Sequence, residues 1–111
     1  MKISILLPYK ENFSSKYAGA VSLFVKDTTI NSKYKKSIYV FGHTKYKSAL
    51  LKNYINLDIK RNILQSNNKI YVEKFIEHEK SSPSDLIEIH NRPNYVKLLT
   101  HNTNAKLILY F

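Results

Sequence analysis

The chain has 111 residues, enough for one domain, and its 43% hydrophobic and 13% aromatic content is sufficient to build a core. The absence of cysteine excludes disulfide frameworks, thiolate zinc sites and thiol nucleophiles. No apolar run approaches the roughly 20 residues of a membrane-spanning helix, and residues 3–7 are too few for the core of a secretory signal, so the chain reads as cytoplasmic. The formal net charge is +10, but 16 of the 18 basic residues are lysine, and A/T-rich codons alone enrich Lys, Asn, Ile and Tyr. Charge by itself therefore selects no partner.

Residues 3–7, Ile-Ser-Ile-Leu-Leu, form a short apolar run closed by Pro8 and read as a buried strand. A polar, aperiodic stretch follows. Ala18-Gly19-Ala20 then leads into Val21, Phe24, Val25 and Thr28, whose i, i+3, i+4, i+7 spacing predicts a helix with one buried face. Residues 37–41 read as a second strand closed by Gly42, and residues 48–55 place Leu50, Leu51, Tyr54 and Ile55 on a helical stripe. Residues 59–64 are a weaker strand candidate, interrupted by Lys60, Arg61 and Asn62 as at a sheet edge. Asn67 or Asn68 can cap a helix running through Glu79, with Val72, Phe75, Ile76 and Glu79 on one line and Ser81-Ser82-Pro83 as the stop. Residues 86–89 read as a strand, and Asn91-Arg92-Pro93 opens a helix with proline in its first turn and Tyr95, Val96, Leu98 and Leu99 buried. Residues 106–111 form the last strand.

Strands alternating with helices predict an α/β fold: a Rossmann-like open parallel sheet of about five strands, ordered 3-2-1-4-5, with helices on both faces. Ligands bind such sheets outside the carboxyl ends of the strands, where the order reverses between the first and fourth. Residues 1–111 then make a single domain. Its final strand lacks the loop and helix that should cover it, which predicts a truncated domain.

Two segments carry candidate chemistry. Residues 9–18 form a loop longer than the roughly 2–6 residues usual between strand and helix, a length associated with function. Gly19, at the helix start, would let a ligand approach backbone N–H groups, and Lys16 and Lys10 could neutralise a phosphate there; a plain helix entry explains Gly19 equally. His90-Asn91-Arg92-Pro93 combines an imidazole, an amide and a guanidinium at a strand's carboxyl end, a set suited to polyhydroxylated or anionic ligands. Asn91 reads equally as a helix N-cap, and Glu88 as a partner of Arg92 or a lysine rather than an acid. The histidines at 43, 78, 90 and 101 lack metal-ligand spacing, with His78 and His101 expected in solvated helix ends, and no metal is expected. Dinucleotide, P-loop and serine-hydrolase signatures are absent.

The opening strand ending at Pro8, the loop closing on Ala18-Gly19-Ala20, and Asp85-Leu86-Ile87-Glu88-Ile89-His90-Asn91-Arg92-Pro93 followed by a strand at 107–111 resemble the amino-terminal domain of family 4 retaining glycosyltransferases of the GT-B fold. The order of elements agrees over nearly the whole chain. Ile89-His90-Asn91-Arg92-Pro93 is the most specific piece, and residues 44–80 agree only in pattern. The resemblance implies the acceptor-binding part of an enzyme that moves a hexose from a nucleotide sugar to a saccharide or lipid-linked acceptor in surface polysaccharide or glycolipid synthesis. It implies a nucleotide-sugar substrate, no cofactor, and a separate carboxy-terminal donor domain with an E-x7-E motif, without which this part is inactive. Gly19 and Ala20 would lie near the donor phosphates or the acceptor, with His90, Asn91 and Arg92 lining the acceptor side. The family's functional histidine would follow Phe111, so no catalytic residue is expected within the chain. Relatives dock on anionic membranes through this domain, a role open here to Lys45, Lys47, Lys52, Lys60 and Arg61 on the inner face of the membrane. The alternative is a basic, non-enzymatic α/β nucleic-acid-binding module. Aromatics at core spacings and only two arginines argue against it, so no nucleic acid is expected as a partner.

Overall fold

A computed structural model describes residues 1–111. The elements are β1 (Ile3–Leu6), α1 (Ala20–Ile30), β2 (Ile38–Gly42), β3 (Tyr54–Asn56), α2 (Asn67–Ser81), β4 (Leu86–His90), α3 (Asn94–Asn102) and β5 (Lys106–Tyr110), with a single 3-10 turn at Lys35–Ser37. The five strands are all parallel in the order β3-β2-β1-β4-β5, as the alternation predicts. Ile5 pairs across to Val40 on one side and Glu88 on the other, which puts β1 in the middle and explains why all four of its residues are buried.

The two-residue period of the strands divides the core between two faces. Leu6, Phe41, Ile87 and Ile89 meet Tyr71, Val72, Phe75 and Ile76 of α2 and Tyr95 and Leu99 of α3. Ile3, Ile5, Leu7, Ile38 and Val40 meet Val25 of α1 and Phe13 of the β1–α1 loop on the other face. Each such fully buried side chain contributes roughly 1.5–3 kcal/mol by leaving water. No helix is long and apolar enough to cross a membrane.

The structure corrects the sequence reading between residues 48 and 64. Residues 48–55 are not a helix. Ser48 takes a left-handed backbone (φ 65°), Leu50 N–H donates to the Phe13 carbonyl at 3.3 Å, and Ala49 bridges Ser14 in antiparallel fashion. Leu50 and Leu51 still pack on the α1-side core, but from irregular chain. A short apolar run satisfies a helical stripe and a folded ribbon equally, and here the ribbon finds backbone partners in the long loop. The third strand is Tyr54–Asn56 rather than residues 59–64, held by Val40 N–H to Asn53 carbonyl (3.0 Å) and Leu57 N–H to Gly42 carbonyl (2.7 Å). Residues 59–64 form no strand, and a turn there exposes Ile63 and Leu64 fully.

The helix starts also shift. Ser66, not Asn67 or Asn68, caps α2, its Oγ accepting from Lys69 N–H at 3.1 Å. Pro93 is the N-cap of α3 rather than a residue of its first turn. Asn91 therefore does not cap that helix; it stands before it in the left-handed region (φ 54°).

Candidate functional site

Because every strand is parallel, all the loops that follow strands emerge at one edge of the sheet. Four non-glycine residues have positive φ, and all four lie in loops leaving that carboxyl edge: Lys10 (71°) and Tyr17 (57°) after β1, Ser48 (65°) after β2, and Asn91 after β4. A side chain in this region costs roughly 1–2 kcal/mol, less for asparagine, and persists only where its surroundings fix it.

The β1–α1 and β2–β3 loops enclose an open cleft of about 390 Å³, lined by Lys10, Asn12, His43, Thr44, Lys45 and Tyr46. Its walls are tied together. The Thr44 hydroxyl donates to Asn12 Oδ1 at 2.9 Å, and Thr44 N–H donates to Asn56 Oδ1 at 2.9 Å. His43 Nδ1 lies 2.7 Å from the Leu57 carbonyl, which can only accept, so Nδ1 carries the hydrogen and Nε2 is the ring nitrogen left free. The imidazole stacks on Tyr9 at 5.5 Å.

Cations and aromatic faces interleave around this cleft. Lys45 Nζ lies 5.4 Å and Lys16 Nζ 5.9 Å from the Tyr46 ring centre, Lys10 Nζ lies 5.7 Å from that of Tyr9, and Tyr17 leans on Tyr46 at 5.4 Å. The structure's ion pairs, Lys74–Glu77 and His90–Glu88, both lie elsewhere. Lys10, Lys16 and Lys45 thus face solvent with no carboxylate partner.

The start of α1 differs from what sequence suggests. The Glu11 carboxylate occupies it, Oε2 accepting from Ser22 N–H at 3.1 Å and from the Ser22 hydroxyl at 2.7 Å. A carboxylate there satisfies the free N–H groups and the positive end of the helix dipole. Gly19 is the N-cap in extended conformation, and any side chain on it would run into that same Glu11 carboxylate. Gly19 thus makes room for Glu11. Ala20 is the exposed first residue of α1, whereas Lys16 belongs with the lysine–tyrosine cleft.

His90, Asn91 and Arg92 stand together at the end of β4, with different exposures. His90 is only 4% exposed, stacked on Tyr110 at 4.8 Å and 6°, with Phe24 edge-on at 5.9 Å. Its Nε2 has no hydrogen-bond partner, and Glu88, rather than pairing with Arg92 or a lysine, brings Oε2 to 3.7 Å from it. The Glu88 charge, and then burial, push the Tyr110 hydroxyl pKa up. Asn91 is exposed and donates its N–H to the Tyr110 carbonyl at 2.8 Å. Arg92 folds back, Nη1 donating to the Asn91 carbonyl at 2.7 Å.

Tyrosines brace this edge from inside. The Tyr71 hydroxyl, fully buried, donates to the Leu7 carbonyl at 2.7 Å, with the Phe41 carbonyl at 3.4 Å. Tyr95 accepts from Tyr9 N–H at 3.2 Å and donates to Asn68 Oδ1 at 2.6 Å. Burial is the main cause raising both hydroxyl pKa values.

Sequence reasoning missed Glu11, Asn12, Thr44 and Tyr46 and left His43 as an ordinary loop residue. The signal available was the alternation Thr44-Lys45-Tyr46-Lys47 directly after a strand end. His78 is also not solvated: it is half-buried, edge-on to Phe41 at 4.9 Å, with Nδ1 buried and unpartnered. No protein family, curated protein or solved structure matches the chain.

Proposed function

We propose that this chain is the acceptor-side part of a glycosyltransferase, holding a saccharide or lipid-linked acceptor while a second, donor-binding domain supplies the hexose from a nucleotide sugar. The observation that carries the reading is the cleft at the carboxyl edge, which offers cations, amide, hydroxyl and imidazole groups beside tyrosine faces and has no carboxylate in its lining. A sugar presents hydroxyls to such polar groups and C–H faces to aromatic rings. In the transfer, an acceptor hydroxyl attacks the anomeric carbon and the nucleoside diphosphate leaves. This domain's part is to fix that hydroxyl.

The glycine at the start of α1 has no phosphate role in this reading, since Glu11 already fills the helix terminus. Delivery of a lipid-linked acceptor is supported by the turn after β3, where fully exposed Ile63 and Leu64 follow exposed Lys60 and Arg61. Two aliphatic side chains beside two cations suit an anionic bilayer surface. Flotation with anionic but not neutral vesicles, lost in Ile63→Ser/Leu64→Ser, is the expected outcome.

Nitrogen-15 amide spectra of the whole chain, titrated separately with oligosaccharide acceptors and with a nucleotide sugar, test the main reading. Shifts in residues 10–17 and 43–47 with saccharide, and much weaker shifts with nucleotide sugar, are expected. The Tyr17–Tyr46 pair between lysines, with Tyr17 exposed and Tyr46 half-buried, favours a second reading, a single-stranded nucleic-acid surface. Tight, steeply salt-dependent binding of an oligonucleotide at those amides would establish it instead.

A further inference from the structure

The cleft's charge and shape carry the acceptor reading one step further. Lys10 and Lys45 both line it, Lys16 reaches its Tyr46 wall, and none of the three meets a carboxylate. The nearby carboxylate of Glu11, which could have neutralised them, is instead committed to Ser22 at the start of α1. Three ammonium groups left unpaired around one concavity repel one another, and an anion entering it relieves that repulsion. Lys10 is held there at φ 71°, a conformation a lysine adopts only at a cost.

The anion has company. Tyr46 is flanked by cations at 5.4 and 5.9 Å, and the free Nε2 of His43 and the Asn12–Thr44 pair offer hydrogen bonds within the same walls. A bare phosphate would leave the ring and these groups unused. The volume of about 390 Å³ falls in the range of small-ligand sites and is too small for the run of nucleotides that a nucleic-acid track accommodates.

We propose that this cleft binds a sugar carrying a phosphate, with the phosphate between Lys10 and Lys45 and the sugar ring against Tyr46. The choice of a sugar rests on the acceptor reading, whereas the anion-binding half stands on the convergence of Lys10 and Lys45 on one cleft with no carboxylate in its lining.

The test is a titration of the nitrogen-15-labelled full chain, at fixed ionic strength, with glucose 1-phosphate, its octyl phosphodiester, glucose and inorganic phosphate. At least one of the two sugar phosphates is expected to shift residues 10–17 and 43–47, with a Kd at least about tenfold below those of glucose and inorganic phosphate. Tighter binding of the monoester marks a free sugar phosphate as the ligand, and tighter binding of the octyl diester a lipid-linked one. Lys10→Gln and Lys45→Gln should each weaken sugar-phosphate binding about tenfold, the loss expected for one charged hydrogen bond. Tyr46→Ala should weaken the sugar phosphate but leave inorganic phosphate unchanged, and an otherwise unchanged amide spectrum reports that each variant is folded.

Inorganic phosphate binding as tightly as the sugar phosphates, no loss in both lysine variants, or shifts confined to other residues overturns the proposal. So does an eight-nucleotide oligothymidylate that binds these amides more tightly than either sugar phosphate. Sugar-phosphate binding without any response to oligosaccharide acceptors would sink the glycosyltransferase reading while leaving this site in place, and the reverse pattern would sink only the site.

Discussion

The two edges of the sheet are built on opposite principles. At the amino edge, the Glu79 carboxylate accepts from Ser84 N–H at 2.8 Å and from its hydroxyl, which in turn meets the Ser4 hydroxyl at 2.6 Å. Lys2 N–H donates to Asp85 Oδ2 at 2.8 Å, its Nζ donates to the Ser82 carbonyl at 2.7 Å, and Asp85 returns its N–H to the Lys2 carbonyl at 2.9 Å. The backbone there is ordinary. At the carboxyl edge, three lysines stand without counter-ions and four residues sit in the left-handed region. Backbone strain reduces stability, so its confinement to loops that leave one edge marks where a ligand, rather than the fold, sets the requirement.

The largest expected effect is at the stable edge. Glu79 is 4% exposed, and Glu79→Ala leaves the buried N–H and hydroxyl of Ser84 without their acceptor. A loss of about 3 kcal/mol in urea unfolding is expected, with sugar-phosphate affinity at the other edge unchanged under folding conditions. A fall in affinity to match would show that the two edges are not independent.

Next in size is the brace beneath the cleft. Tyr71→Phe removes the hydroxyl that serves the Leu7 and Phe41 carbonyls and should cost about 1–2 kcal/mol. The same tyrosines set the alkaline limit. Burial raises the folded pKa of Tyr71 and Tyr95, so their protonated hydroxyls stabilise the fold fully below the unfolded value near 10. Above about pH 10 the unfolded chain loses those protons first, and stability falls as pH rises toward the folded values. Tyr71→Phe should flatten that fall, and an unchanged alkaline slope would show that Tyr71 does not contribute to it.

Lys10→Gly sharpens the contrast between stability and function. Glycine accepts φ 71° without strain, so the variant should gain up to about 1 kcal/mol while losing sugar-phosphate affinity. Stabilisation with binding intact would mean that the strained lysine serves no ligand.

Much of the fold was legible because its signals are local. Ile3 to Leu7 and Leu86 to Ile89 are apolar runs bounded by breakers, and Val72, Phe75, Ile76 and Glu79 fall on one helical line that the structure buries. Residues 48–64 were misread because Leu50, Leu51, Tyr54 and Ile55 satisfy two patterns at once, and the choice was made by Phe13 and Ser14, more than thirty residues earlier in the chain. The site was harder still. Gly19 next to a helix start suggests a ligand until Glu11 is seen in that position, and no local pattern shows that an acid eight residues away will turn back to reach Ser22. His90 was found as a polar residue at a strand end, but its burial under Tyr110 depends on the register between β4 and β5.

The smallest effect returns to the amino edge, where His78 Nδ1 is buried without a partner. His78 lies in the last turn of α2, where the helix dipole favours a charged imidazole, yet its pKa is lowered, first by burial and then by the charge of Lys2, with Glu79 opposing. The native state therefore prefers the neutral ring. Above the unfolded value near 6.5 this preference has no cost; as pH falls through 6.5 toward the folded value, the unfolded chain takes up a proton that the folded chain refuses, and stability declines. Urea midpoints measured between pH 7.5 and 5.5 should show that decline, and His78→Gln should reduce it while leaving sugar-phosphate binding at pH 7.5 untouched. An undiminished slope in His78→Gln would move the acid sensitivity to another group and leave the amino edge with no titrating weak point, which would make the contrast between the two edges complete.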